Sequence, residues 1–403
     1  MRRQSANART VQMPYAGPLL SLAFVIACAH LGGLLFAALR QPRVIGEVVA
    51  GIALGPSLLG ALAPDAAAWL LPEASEGFLD AVAQLGLVVF MLLVGLEIDL
   101  RLLRARRRLI GAVAAGSVSL PLALGLGFGF VLRPDDPAFA LFLGLALAVT
   151  AMPVLARIIK ERGLGGTSLG AIALACAALN DVAAWLGLAG VTALIGEGEV
   201  WIAVAGLVAL APALVAFRAL LRRAGPELRL PLLLAGALAA GAVTDEIGLH
   251  LVIGRFLVGL VAPRDERTPG RLEPLALAVL MPAFFLTAGA GVQLNGLAAG
   301  DLLLLAVALV LAFAGKFAGT ALPARRMGLS TNESLRLGAL MNTRGITDIV
   351  LLGIGLELGV LDTRLYSILV VTALVTTIAT GPILNLLGQP RPPRRTSPAP
   401  VPT

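Results

Sequence analysis

The chain has 403 residues, 58% of them hydrophobic and 14% charged, with a formal net charge of +7. A soluble domain carries roughly a quarter charged residues and does not repeat apolar runs of about 17 to 25 residues end to end, so a large soluble α/β enzyme is excluded. The basic residues sit in short loops between apolar runs, which marks topogenic charge rather than a nucleic-acid surface.

The pattern is that of an all-α polytopic membrane protein with about thirteen transmembrane helices. In chain order the spans are expected at 17–38, 44–60, 79–98, 109–131, 138–158, 168–195, 200–221, 230–245, 248–263, 275–293, 301–321, 334–356 and 363–387. The eighth and ninth are short, and Asp245, Glu246 and Gly248 mark the turn between them. Residues 1–16 read as an N-terminal tail, because the apolar run after them is too long for a signal-peptide core. Residues 388–403, Pro-rich and basic, read as a disordered tail.

With thirteen spans, most of the 31 Lys and Arg fall in loops on one side. Only Arg133 and Arg364 fall in the opposite loops. The positive-inside rule then places the C-terminus in the cytoplasm and the N-terminus outside. Merging spans eight and nine would move the last three basic groups outside. Arg2, Arg3 and Arg9 in the short N-terminal tail dissent from this orientation.

Two spans carry helix-disrupting sequence at mid-depth. The fifth reads "LALAVTAMPVLARIIKERG", where Pro153 removes a backbone donor and pushes Met152 away from the helical region. The carbonyls of Thr150 and Ala151 then lack a certain intrahelical partner. The twelfth reads "LRLGALMNTRGITDIVLLGIG", interrupted by Asn342, Thr343, Arg344 and Gly345. Irregular backbone at membrane depth is tolerated only where protein covers it or where it lines a wet cavity. Each broken span is the middle of a trio, four to six and eleven to thirteen. The trios start seven spans apart, so they have opposite orientation, the inverted-repeat arrangement of secondary transporters.

Asp181 lies in the middle of the sixth span, where an ionised carboxylate costs at least about 2.5–3.5 kcal/mol. Its i±3 and i±4 neighbours are Ala177, Ala178, Ala184 and Trp185, so no local ion pair shields it. Such a group is suited to exchanging a proton for a metal cation, or else to locking onto a distant basic partner. Asn180 offers a carbonyl oxygen as ligand or a packing amide. Lys316 is either the counter-ion of Asp181 or a second proton carrier. Arg344 keeps its proton and reads as a fixed balancing charge, with Asp348 four residues on as its local partner. Glu47 and Arg43 form a structural i,i+4 pair. Arg255 has no assignment. Cys28, Cys176, His30 and His250 form neither a disulfide framework nor a metal motif, and no cofactor is expected.

The segments "GEVVAGIALGPSLLG", "GLVVFMLLVGLEIDL", "TAMPVLARIIKERGL", "ALNDVAAW", "GLHLVIGRFLVGL" and "MNTRGITDIVLLGIG" resemble, in this order, those of the monovalent cation:proton antiporter-2 family of Kef-type and plant-type exchangers. "NDVAAW" is most similar to the plant-type branch and its bacterial relatives. The resemblance implies a sodium/proton antiporter fold in which the two broken helices cross. It implies core helices at 109–195 and 301–387, scaffold helices at 17–98 and 230–293 that form a homodimer, and a linker helix at 200–221. It places Asp181 at the cation- and proton-carrying position, Thr150 and Ala151 on the unwound segment beside it, and Lys316 at the basic position of a neighbouring core helix.

The departures are specific. Many electrogenic relatives carry two consecutive Asp where this chain has Asn180 and Asp181, which points to one charge exchanged for one. The neighbouring antiporter-1 family has a Glu, paired with an Arg, where this chain has Cys176, so a partner for Arg344 is not assigned from that family. Arg255 stands where the family has a small residue. A regulatory nucleotide-binding domain is not expected.

The sequence therefore reads as a monovalent cation (Na+ or K+)/proton antiporter, not an enzyme, in the cell membrane and serving pH homeostasis. The only metal is the transported ion, held at Asp181, and the partners are lipid and a second copy. Two alternatives stand beside it. A sodium-coupled organic-anion symporter of related fold would show a larger polar cavity. An intramembrane aspartyl protease using Asp181 and Asp348 would need two carboxyls facing across a gap.

Overall fold

The computed structural model describes residues 16–97, 106–165, 167–195, 200–247, 250–263, 267–293 and 299–388. The expected tails, apart from Ala16 and Gly388, and the loop arginines Arg101 and Arg104 lie outside the described residues. The regular elements are all helical: α1 (Ala16–Ala38), α2 (Arg43–Leu54), α3 (Leu59–Leu62), α4 (Pro64–Leu70), α5 (Glu76–Glu97), α6 (Arg107–Leu132), α7 (Pro137–Ala148), α8 (Met152–Glu161) and α9 (Ser168–Ile195). They continue as α10 (Val200–Arg223), α11 (Pro226–Glu246), α12 (Leu251–Val261), α13 (Arg267–Leu275), α14 (Met281–Ala290), α15 (Ala299–Arg326), α16 (Thr331–Met341), α17 (Ile346–Glu357) and α18 (Thr363–Leu386).

Local chemistry sets several of these boundaries. Asp136 caps α7 by accepting the Phe139 N–H at 2.8 Å, with Pro137 pre-set at the first helical position. Ser330 and Glu333 form a reciprocal capping box at the start of α16. Asp362 caps α18 through the Leu365 N–H at 2.8 Å. These caps matter because α7 and α16 each have only 12 and 11 residues in which to reach the middle of the protein.

Among the described residues, nine helices are long and apolar enough to cross a membrane, and the bent pair α16 and α17 makes ten. These lengths do not fix the expected count of thirteen. The expected span 138–158 is two half-helices, α7 and α8, and the expected span 248–263 holds the 11-residue α12, short for a bilayer crossing.

Two groups of helices pack mainly within themselves. In one, α1 packs on α2, α14 on α2 and α5, and α12 on α5 and α11. In the other, α6 packs on α7 and α15, α9 on α6, α7 and α8, and α15 and α17 on α18. Helix α10 touches both. Without a hydrophobic drive between helices in lipid, close backbone approach at small residues supplies the packing. Gly116 of α6 and Gly319 of α15 show it: a Cβ on either would sit 2.4 Å from the other's carbonyl oxygen. That contact brings the adjacent Ser117 and the nearby Lys316 together.

Candidate cation and proton site

Helix α7 stops at Ala148, and the chain runs extended through Val149 and Ala151 before α8 starts at Met152. Pro153, second in α8, has no N–H to lose there. Helix α16 stops at Met341, and α17 restarts at Ile346, bent by 44° from it. The two breaks meet. The Ala151 N–H donates to the Thr343 carbonyl at 3.0 Å, and the Thr150 hydroxyl donates to the Met341 carbonyl at 2.9 Å. Backbone groups freed by one break are thus satisfied by the other. A Cβ at Gly345 would lie 2.5 Å from Val154 Cγ2, so a side chain there would push α17 away from α8. Thr377 of α18 pins the second break: its hydroxyl oxygen accepts the Arg344 N–H at 2.7 Å and donates to the Arg344 carbonyl at 2.9 Å. The Asn342 amide donates to the Gly338 carbonyl at 3.2 Å.

A helix that ends inside a protein leaves carbonyls without intrahelical donors and carries the negative end of the helix dipole. At the end of α7, two cations meet those carbonyls. The Arg344 guanidinium donates to the Ala146 and Leu147 carbonyls, each at 2.5 Å, and lies 3.2 Å from Asp348 Oδ1. Asp348 Oδ2 accepts the Gly345 N–H at 2.9 Å, at the start of α17. The sequence pattern pairs Arg344 with Asp348, and the fold adds the capping of α7, which the sequence does not display.

Lys316 Nζ donates to the Ser117 carbonyl at 3.0 Å and to the Ala148 carbonyl. An ammonium only donates, so the Asn180 amide turns its oxygen to Nζ at 2.9 Å. Its nitrogen then donates to the Cys176 carbonyl and Ser117 Oγ, each at 3.2 Å. Asn180 is therefore a partner of Lys316 in this geometry, where the sequence offers it as a ligand or a packing amide. Three oxygen atoms then face Nζ. Asp181, next along α9, is fully buried, and its charge interacts with that of Lys316. Thr150, Ala151, Asn180, Lys316, Asn342, Thr343, Arg344 and Asp348 are all buried around the crossing.

Residues 25–388 match the family model described as sodium/hydrogen exchanger, transmembrane. The chain belongs to this family. It is a family of multi-pass membrane transporters, which sets the enzyme reading aside. The chain is 36% identical to cation/H(+) antiporter 20 of Arabidopsis thaliana, over 93% of this chain and 49% of that protein. It is 34% identical to the Na(+)/H(+) antiporter NhaS4 of Synechocystis sp., over 91% of this chain and 96% of that one. The chain thus spans about half the length of the plant relative and nearly all of the cyanobacterial one. The solved sodium proton antiporter MjNhaP1 of Methanocaldococcus jannaschii shares the fold at a TM-score of 0.66 and 18% identity, covering 93% of this chain and all of that one. The expected antiporter fold is the fold found.

Within this exchanger fold, a cleft of about 990 Å³ opens between the two helix groups, lined among others by Arg43, Glu47, Arg157 and Lys160, with Val154 and Ile346 from the half-helix starts. Glu47 interacts electrostatically there with His30, Arg157 and Arg43, a wider set than the expected i,i+4 pair. Arg255 lies away from the crossing, against Gly241 and within the field of Asp245. Ser117 and Thr377 are site residues that sequence reasoning misses. A Ser or Thr in a membrane helix commonly bonds to its own backbone, so neither stands out until the tertiary contact is known.

Proposed function

We propose that this chain is a secondary active monovalent cation (Na+ or K+)/proton antiporter whose Asp181 alternately holds a proton and the cation. The observation that carries the reading is a fully buried carboxylate beside two crossing broken helices, in a chain of the sodium/hydrogen exchanger family. A buried carboxylate is unfavourable unless neutralised, and a proton or a monovalent cation neutralises it equally. Each loaded state is stable, and competition for one carboxylate couples the two flows. Thr150, Ala151 and Asn180 frame the site. Lys316, Arg344 and Asp348 hold the surrounding charge, and the break at Pro153, Asn342, Thr343 and Gly345 keeps backbone free at mid-depth. Asn180, in place of a second carboxylate, supports one-for-one, electroneutral exchange.

In this reading residues 109–195 and 301–387 form the moving core, and residues 17–98 and 230–293 form the scaffold of a homodimer. Residues 200–221 link them. The contact pattern of the helices supports that division. Thirteen spans in the cell membrane, with the N-terminus outside and the C-terminus in the cytoplasm, put Arg43, Arg157, Lys160, Arg222 and Arg325 on the cytoplasmic side, in keeping with the positive-inside rule. The two relatives' names carry cation/proton and sodium/proton exchange, which supports the substrate class. The test is exchange by the purified protein in proteoliposomes under an imposed pH gradient, with Na+, K+ and Li+ compared. Asp181→Asn should insert and fold but exchange nothing. Near wild-type exchange by that variant would rule out the carboxylate mechanism.

A further inference from the structure

The cleft lined by Arg43 and Glu47 lies at the start of α2, and a cavity of about 470 Å³ opens at the other end of that helix. Its walls include Leu54 at the end of α2, Ala68 and Leu71 of the α4 segment, Leu79 of α5 and Leu286 of α14. Leu79 and Leu286 share one buried apolar cluster with Val25 of α1. Two carboxylates, Glu76 and Asp80 of α5, and the Thr287 side chain also line it. All these helices belong to the group that lacks Asp181, so the cavity is separate from the candidate ion site. Its volume falls in the range of small-molecule pockets, which are mostly apolar with a few polar groups that orient the ligand.

Polar bonds hold the walls in place. The Ser21 hydroxyl of α1 lies 2.9 Å from the Leu70 carbonyl at the end of α4 and 3.1 Å from the Ser75 hydroxyl, just before α5. Ser57, after α2, donates to the Val292 carbonyl, after α14, at 2.5 Å. Protein interiors ordinarily close on space of this size; here the walls are tied and the residues facing in from α4, Ala67 and Ala68, are small. The charges have a pattern of their own. Glu76 stands in the first turn of α5, where the helix dipole favours an acid. Asp80 stands one turn further in, beyond that effect, and repels Glu76 across the i,i+4 spacing. Both are exposed, and among the described residues neither has an ion-pair partner. A cation seated between them relieves the repulsion.

We propose that this cavity binds an organic ammonium: a positively charged amine on Glu76 and Asp80, with its apolar body against Leu54, Leu71, Leu79 and Leu286. A bare metal ion suits the cavity poorly, because two carboxylates leave most of an oxygen-seeking coordination shell to water and the remaining walls are largely hydrocarbon. A neutral apolar molecule fills the volume but leaves the two carboxylates repelling each other. An amine with an apolar body satisfies both surfaces. Trp69 of α4 is 72% exposed and Leu62 of α3 is 76% exposed, a pairing suited to the bilayer surface. The amine therefore reaches the mouth either as the head group of a lipid or as a free amphiphile. This site takes no part in the antiport reading, and its test does not depend on that reading.

The experiment titrates the full chain, in phosphatidylcholine nanodiscs, with 3-phenylpropylammonium and with 3-phenylpropanol, its neutral counterpart of nearly the same shape. Calorimetry with protein-free nanodiscs subtracted separates binding from partition into lipid. The ammonium should bind saturably at one site, about tenfold or more tighter than the alcohol. Glu76→Gln/Asp80→Asn should weaken the ammonium by about tenfold or more and leave the alcohol unchanged. Both residues are exposed, so this variant should fold. Ala68→Phe, which fills the cavity, should weaken both probes. Equal affinity for ammonium and alcohol, or an affinity for the ammonium within about twofold of wild type in the double variant, overturns the site. Repeating the titration with phosphatidylethanolamine in the nanodisc separates the two sources. A weaker apparent affinity for the ammonium there identifies a lipid head group as the occupant, and an unchanged one identifies a free amine.

Discussion

Arg344→Met tests whether the crossing is held by charge. The substitution removes every side-chain donor that Arg344 offers while keeping much of its volume and the backbone N–H that donates to Thr377. It leaves Asp348, 2% exposed at its side chain, as a buried carboxylate without its guanidinium, and it strips the Ala146 and Leu147 carbonyls of their donors. Breaking a buried pair by deleting one partner costs about 3–5 kcal/mol in soluble proteins. Each orphaned carbonyl adds about 1 kcal/mol at the low end. Polar contacts in membranes average only about 0.6 kcal/mol, because the embedded unfolded chain also finds partners. The expected loss is therefore about 2–5 kcal/mol. Arg344→Met/Asp348→Asn removes the stranded charge and leaves only the carbonyls uncapped, so it should recover at least half of that. Thermal unfolding in detergent, followed by size-exclusion of the soluble fraction, should rank wild type above the double variant and the double above the single. A double variant as unstable as the single would refute the stranded-charge argument, and a single variant as stable as wild type would refute the capping argument.

Two further outcomes are expected. Lys316→Gln removes a cation that acts on Asp181, so the carboxylate holds its proton more firmly; the pH optimum of exchange should move upward and the apparent cation affinity at fixed pH should fall. A pH profile within about 0.3 units of wild type, a difference of about 0.4 kcal/mol, would sink the pairing. Asn180→Asp places a second carboxylate against the Lys316 ammonium, 2.9 Å from the present amide oxygen. Exchange should then respond to an imposed membrane potential, and the same equilibrium ion gradient with and without that potential would count against it.

The sequence made the membrane class, the two breaks and the placement of Asp181 within an apolar span legible because each is a one-dimensional signal. Apolar run length, a Pro or Gly at mid-depth and a charge without i±4 partners are all read along the chain. Partners are not. Lys316 is 199 residues from Ser117 and 168 from Ala148, and no periodicity reports that it caps α7. Arg344 was assignable to Asp348 by spacing, but its grip on Ala146 and Leu147 depends on where a helix from the other repeat ends. The span count was the weaker inference for a related reason. Hydropathy windows treat α7 and α8 as one run, and α12 as a full span, because they measure composition rather than the continuity of the hydrogen-bond ladder.

The crossing also bears on the proposal that exchange carries no net charge. Among the described residues, four Asp, Lys and Arg side chains are buried there: Asp181 and Asp348, Lys316 and Arg344. Arg344 and Asp348 neutralise each other at 3.2 Å. Lys316 has three oxygen acceptors around it and, when protonated, acts on Asp181. With Lys316 protonated and Asp181 ionised and empty, the set sums to zero. A proton and a monovalent cation each raise it by the same single charge. If the core moves only when loaded, it carries one charge in each direction, and the cycle moves none overall. A second carboxylate at position 180 would break this symmetry, because it would give Lys316 a titratable partner whose proton leaves or returns with the ion. Asn180 cannot titrate, yet it still supplies the oxygen that Lys316 needs. In the proposed mechanism the amide gives Lys316 an acceptor that does not titrate, and leaves Asp181 as the group whose occupancy changes.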